Sequence, residues 1–221
     1  MNVLTAKKYS ELYNRAVRKA KLEAKGKLAP QGRHSHFDYW RLLAERQAYL
    51  HYQGTSCKNK IDLIKIAGMA YSWMPTMLDL YFDDDYDFDI LIKLIRKCCK
   101  KSIDWDEQMQ LMTALSLMVN HSIVGASKVL HIIAPDFIPF TDSRVLKGWN
   151  LFFQKEIKDG IIRQLPNNWS FNNENVLFDK VNTFTMYCDS LQQWSKNLNG
   201  RKSVRDIEVL FYFIGGKTRI D

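Results

Sequence analysis

Between Asn120 and Gly148 the chain gathers residue types that can do chemistry: Gly125, Ser127, Lys128, His131, Asp142, Arg144 and Lys147, in a stretch punctuated by Pro135 and Pro139. A carboxylate held beside a carbon that develops positive charge stabilises that charge and orients an attacking water. A lysine in a cleft attacks covalently if burial lowers its pKa, or holds a phosphate as a point charge. Asp142 is the candidate for the carboxylate role and Lys128 for the lysine role. Asp142 also follows Thr141 where an apolar pattern resumes, so it reads equally as a helix N-cap, and the two roles can coexist. Lys128, Arg144 and Lys147 read either as solvated helix residues or as contacts to phosphates.

These residues must be positioned by helices. The pattern places a helix end near His121, a tight turn at Gly125 and a short apolar helix from about Ser127. Pro135 and Pro139 predict an extended connection, and Thr141-Asp142 opens the next helix. Residues 4 to 25 read as an amphipathic helix with Leu4, Tyr9, Leu12, Tyr13, Ala16 and Ala20 on its apolar side. Further helices are predicted at about 38 to 52, 58 to 73, 87 to 101 and 105 to 119, the last with the stripe Trp105, Met109, Met112, Leu115 and Val119. Two more core stripes follow, Leu177-Val181-Phe184-Cys188-Leu191-Trp194 and Val204-Ile207-Phe211-Ile214, with Asn199-Gly200 as the break between them. No alternating strand pattern competes, so the expected fold class is all-α, a compact helical bundle of one or two lobes, forming a single domain over 1 to 221.

Around Gly125, Lys128, Pro139 and Asp142 the sequence resembles the helix-hairpin-helix DNA glycosylase superfamily, in which a Gly-containing hairpin precedes a Lys-bearing helix and a Pro-x-Asp type segment delivers the catalytic aspartate. It is also similar to small bacterial and phage-related proteins with a Gly-x-Ser-Lys…Pro…Asp-Ser-Arg-Val pattern. The resemblance covers about 30 residues and implies a fold of the helix-hairpin-helix glycosylase type. It puts the hairpin at Val124 to Ser127, the helix lysine at Lys128 and the catalytic aspartate at Asp142, with Gly125, Ser127, Arg144 and Lys147 toward DNA. Breaking an N-glycosidic bond builds oxocarbenium character on the sugar, which is the charge Asp142 would face.

A base inside a duplex has to be extruded before that bond is accessible, which calls for an aromatic-lined pocket. Tyr39, Trp40 and Trp73 can supply stacking faces, Asp38 a hydrogen bond to a base edge, and His131, three residues from Lys128, a side chain lining the cleft; core packing is the competing reading for each aromatic and for His131, and helix capping for Asp38.

The net charge is +8, and seven of those charges come from residues 1 to 33, where Lys7, Lys8, Arg15, Arg18, Lys19, Lys21, Lys25, Lys27 and Arg33 outweigh Glu11 and Glu23. Such a basic helix attracts a polyanion through counterion release, or simply keeps the chain soluble. The acidic run Asp83, Asp84, Asp85, Asp87 and Asp89 repels phosphate, so it is expected away from DNA, as a solvated loop and helix start. With 46% hydrophobic and 13% aromatic residues the chain is too rich in core-formers to be disordered. No apolar run reaches the roughly 18 residues of a membrane helix, and the first residues lack a signal-peptide core, which points to a cytoplasmic protein without membrane contact. Cys57, Cys98, Cys99 and Cys188 have no Cys-x-x-Cys spacing, and the five histidines form no zinc pattern with them, so no metal, iron–sulfur cluster or other cofactor is expected. The sequence thus leads to two expectations. One is a DNA glycosylase, monomeric, acting in repair or antiviral defence on double-stranded DNA that carries a modified or damaged base. The other is a non-catalytic helical nucleic-acid-binding or protein-interaction module.

Overall fold

Short polar side chains that accept the orphan N–H groups of a first turn set where helices begin in this chain. The computed structural model describes residues 6–24, 57–72, 76–82, 87–199 and 201–216. Among them are nine helices: α1 (Ala6–Ala24), α2 (Lys60–Tyr71), α3 (Phe88–Cys99), α4 (Trp105–Met118), α5 (Ile123–Ile133), α6 (Ser143–Phe152), α7 (Gln154–Lys158), α8 (Glu174–Asn197) and α9 (Val204–Gly215). One isolated antiparallel bridge, Leu80 with Val119, is the sole strand-like pairing among the described residues. The all-α class therefore holds. The helix predicted at 38 to 52 lies outside the described residues, and the five-residue α7 had no signal in the apolar pattern.

The caps explain the boundaries. Asn59, Asp87, Ser122 and Asp142 accept first-turn N–H groups of α2, α3, α5 and α6, while Asp104 with Glu107 and Ser203 with Asp206 form reciprocal capping boxes on α4 and α9. Asp87, from the acidic run, is thus a helix start; Asp83 to Asp85 fall outside the described residues.

The chain divides into two compact units that are not contiguous in sequence. One, the Asp142 unit, takes the described parts of Met1–Gly32, Thr141–Asn168 and Tyr187–Asp221; the other, the Lys128 unit, takes those of Arg33–Phe140 and Trp169–Met186. In the Asp142 unit, α6 lies against α9, and α1 packs on α9. Its core is aromatic: Trp149 sits 5.2 Å from Phe211, 4.6 Å from Phe153 and edge-on to Tyr187 at 5.3 Å, ring to ring. The buried indole N–H of Trp194 donates to the Tyr9 carbonyl at 3.0 Å, which ties α8 to α1 across 185 residues of sequence. Asn150 clamps the irregular stretch after α7, donating to the Leu165 carbonyl at 2.8 Å and accepting from its N–H at 2.9 Å.

The Lys128 unit is built from α2 to α5 and the first half of α8, around Ile66, Ile95, Leu111, Met112, Leu115, Met118, Ile123, Val129 and Leu130, none of them exposed. The stripe expected on α4 is right for Met109, Met112, Leu115 and Val119 but not for Trp105, which is 41% exposed. Position 105 opens the helix, where the first turn has no preceding turn to pack beneath it. The stripes of α8 and α9 are buried throughout.

Burial also governs the thiols. Cys57 is pushed up to about 12, first by burial and then by the Asp62 carboxylate, and Cys99 to about 11 by burial; Cys98 rises too, for the same reason. Burial, reinforced by Asp79, likewise lifts Tyr71 to about 12. All four belong to the Lys128 unit. Their folded pKa values exceed the unfolded ones, so the stabilising preference for the neutral form is fully present below pH 9.0, the ordinary thiol value, and is lost as pH climbs through 9 toward 12. Urea denaturation at pH 7.5, 9 and 10.5 should show a midpoint that falls steadily across the series; a midpoint that stays level or rises would contradict this placement of the thiols.

Candidate active site

The turn before α5 differs from the expectation. Asn120 and His121 take left-handed backbone conformations, with φ of 54° and 44°, and make the reversal between α4 and α5. Asparagine is among the residues that tolerate this region, and here its side chain is also used: its amide donates to the Met77 carbonyl at 2.8 Å and accepts from the Asp79 N–H at 3.0 Å. Gly125 is not in a turn. Its N–H donates to the Ser122 hydroxyl at 3.1 Å, so it lies inside the first turn of α5, and the hairpin expected at Val124 to Ser127 is helical. The reason for glycine is proximity: a Cβ there would stand 2.4 Å from the Tyr71 hydroxyl and 3.1 Å from the Val119 carbonyl oxygen. Gly125→Ala should therefore destabilise by about 1–2 kcal/mol. Adding Tyr71→Phe, which removes the oxygen in the way, should recover part of that loss in a double-mutant cycle. Strictly additive losses would mean that the Tyr71 hydroxyl is not what selects glycine.

Ser127, expected to face DNA, is instead fully buried, and its hydroxyl donates to the Val124 carbonyl at 2.9 Å. His131, expected to line a cleft, is only 3% exposed. Its Nδ1 lies 2.8 Å from the Ile138 carbonyl oxygen, which can only accept, so Nδ1 carries the proton; the ring meets Phe140 edge-on at 6.1 Å. That hydrogen bond holds the Pro135–Pro139 segment, which is not simply extended. It folds back as a turn closed by Phe137 and Ile138 N–H groups on the Ala134 carbonyl, at 3.0 and 2.8 Å, because proline favours the second position of such turns. Lys128, half-buried on α5, places its ammonium 5.1 Å from the Phe140 ring centroid.

Asp142 belongs to the other unit and caps α6. Its Oδ1 accepts the N–H groups of Arg144 and Val145 at 2.8 and 2.9 Å. Oδ2 accepts no hydrogen bond from the described residues, and the side chain is half-buried. The sequence pattern locates this residue because an N-cap is a local signal: a short polar side chain standing where an apolar helical pattern resumes. Arg144 is exposed; its guanidinium donates to the Tyr212 hydroxyl and lies 5.1 Å from the Tyr212 ring centroid. Lys147, one turn further, is half-buried. On α1, Lys7, Lys8 and Arg18 are exposed without hydrogen-bond or ion-pair partners among the described residues. Two other cations of that helix are engaged within the unit: Arg15 pairs with Glu156 at 2.8 Å over the Phe152 ring, and Lys19 donates to the Leu151 carbonyl at 2.9 Å. Asp38, Tyr39, Trp40 and Trp73 lie outside the described residues.

Sequence reading missed Tyr212 and Tyr187. The buried Tyr187 phenol is held well above the ordinary tyrosine range by burial first, then by the negative charge of Glu208, Cys188 and Asp142, with Arg205 partly offsetting them. Glu208 is itself fully buried and accepts from Arg205, one turn earlier, at 2.5 Å. The i,i+3 spacing of that pair is visible in the sequence, but its nearness to Asp142 is not. Among the described residues no group of three or more potential metal ligands comes together, and no helix is long and apolar enough to cross a membrane. Comparison with protein-family models, with curated proteins and with solved structures finds no match for this chain.

Proposed function

We propose that the chain is a DNA N-glycosylase that takes a modified or damaged base out of the duplex and cleaves its glycosidic bond, leaving an abasic site. The observation that carries this reading is the division of labour within the Asp142 carboxylate: two amide N–H groups fix one oxygen while the other is left without a hydrogen-bond partner among the described residues. A carboxylate so oriented can face a sugar as it acquires oxocarbenium character, with no reorganisation needed at the moment of bond breaking. Cleavage transfers the bonding electron pair to the base, which takes up a proton, and water adds to the sugar carbon. Arg144, Lys147 and Lys128 are proposed as phosphate contacts, and the exposed Lys7, Lys8 and Arg18 as the wider basic surface that holds the backbone. No cofactor enters this chemistry.

The second reading, a helical nucleic-acid-binding module without activity, is favoured by the same residue, because capping α6 is by itself a sufficient role for Asp142. The deciding experiment incubates the protein with duplexes carrying oxidised, alkylated or phage-type modified bases and probes for abasic sites by alkali cleavage. Abasic sites in at least one duplex support the glycosylase. Salt-sensitive binding to all duplexes with no abasic product leaves the binding module, and the lack of any salt-dependent affinity removes both.

A further inference from the structure

Three large apolar side chains of the Lys128 unit stay in solvent: Phe178 is 63% exposed, Ile90 45% and Trp105 41%. They line one groove, of about 630 Å³, between α3, α4 and the first half of α8. A volume in the range of roughly 300–1,000 Å³, mostly apolar walls and a few polar groups are the usual attributes of a small-ligand site. The polar residues of the lining are the carboxylate-bearing Asp87 and Asp106, the amide-bearing Gln110 and Asn182, and Thr113. Apart from the Asp87 Oδ1 that caps α3, none of these side chains makes a hydrogen bond among the described residues.

Charge selects the occupant. No lysine, arginine or histidine is among the lining residues, so no cationic side chain of the lining pairs with the two carboxylates. A phosphate or carboxylate ligand would meet repulsion there, and a second copy docking groove to groove would bring its own acidic rim against this one. A cation is attracted both by the carboxylates and by the aromatic rings of Trp105 and Phe178 in the lining, tryptophan being the best cation–π partner. The amides suit ring nitrogens or amino groups. We propose that this groove is a binding site for a planar aromatic cation, built from none of the residues proposed for the Asp142 chemistry.

The test uses 9-aminoacridine, a planar monocation at neutral pH, followed by fluorescence anisotropy on the full chain, with 9-anthracenecarboxylate as the anion of the same shape. Saturable one-to-one binding of the cation is expected, with the anion at least tenfold weaker. Trp105→Ala should weaken the cation about tenfold and Asp106→Asn about three- to fivefold, in the ranges of a cation–π contact and a partly exposed ion pair. Circular dichroism checks that each variant keeps the parent's helix content; should Trp105→Ala lose it, Trp105→Phe and Phe178→Ala replace it, each with a smaller expected loss of two- to fivefold. The proposal is overturned if the cation does not saturate, if the anion binds equally well, or if properly folded variants bind like the parent. It is also overturned if a basic amphipathic Leu/Lys peptide of 18 residues binds tightly at the groove while 9-aminoacridine does not, which would make the surface a protein-docking site.

Discussion

Asp142→Asn is expected to leave the fold standing and reduce abasic-site formation at least 100-fold on whichever duplex the parent protein processes. Asparagine caps helices about as well as aspartate, so the bonds that Oδ1 accepts from Arg144 and Val145 can be kept by the amide oxygen. What disappears is the negative charge that the proposed reaction needs beside a developing oxocarbenium ion, and single preorganised electrostatic groups are worth roughly 10²–10³ in rate. Asp142→Ala separates the roles from the other side. It removes the cap, costing about 1 kcal/mol, as well as the charge. The pair of variants thus distinguishes a catalytic carboxylate from a structural one: Asn stable and inactive, Ala less stable and inactive. An Asp142→Asn protein that still forms abasic sites at the parent rate would remove Asp142 from the reaction, whatever its stability. On the proposed reading, DNA affinity should change little in Asp142→Asn, since phosphate contacts generally dominate binding to DNA.

Gly148→Ala and Gly215→Ala should be the most destabilising conservative changes in the Asp142 unit. Helix propensity argues the opposite, because alanine is favoured over glycine by about 1 kcal/mol within a helix. Packing outweighs it. A Cβ on Gly148 would stand 1.9 Å from the Phe211 carbonyl oxygen, and one on Gly215 would stand 1.8 Å from the Arg144 carbonyl oxygen and 2.7 Å from the Gly148 nitrogen. These are backbone atoms on both sides, so no side chain can swing away, and α6 and α9 would have to separate along their aromatic contact. A net loss of about 3 kcal/mol, or roughly 6–12 °C in Tm, is the expected result for either variant. Gly68 provides the internal control. A Cβ there meets nothing within 4 Å, so Gly68→Ala in α2 should gain up to about 1 kcal/mol by propensity alone. Thermal melts of the three variants side by side read this directly; Gly148→Ala melting at or above the parent temperature would mean that the two helices are not in backbone contact.

These cases show where reading the chain in one dimension succeeds. The stripes of α8 and α9 and the position of Asp142 at a helix start were legible because a helical period and an N-cap act within one or two turns. The sequence points to Gly125 for the turn because glycine is the commoner residue at positive φ; what decides for Asn120 is the pair of bonds between its side chain and residues 77 to 79, some forty positions earlier. Ser127 and His131 looked available for DNA and for a base because their side chains are polar, yet both are satisfied in the core by backbone carbonyls.

By itself, then, the sequence determined the all-α class, most helix boundaries, which stripes are buried and the α6 cap at Asp142, all through interactions between residues close along the chain. Only the tertiary structure decided that the described parts of residues 1–32, 141–168 and 187–221 share one unit, that Gly148 and Gly215 sit where two helix backbones touch, and that Trp105 and Phe178 line one acidic groove. Those outcomes depend on which distant segments meet, and no local propensity encodes that: a glycine or an exposed aromatic has the same helical preference whether or not another backbone or a cavity lies opposite it.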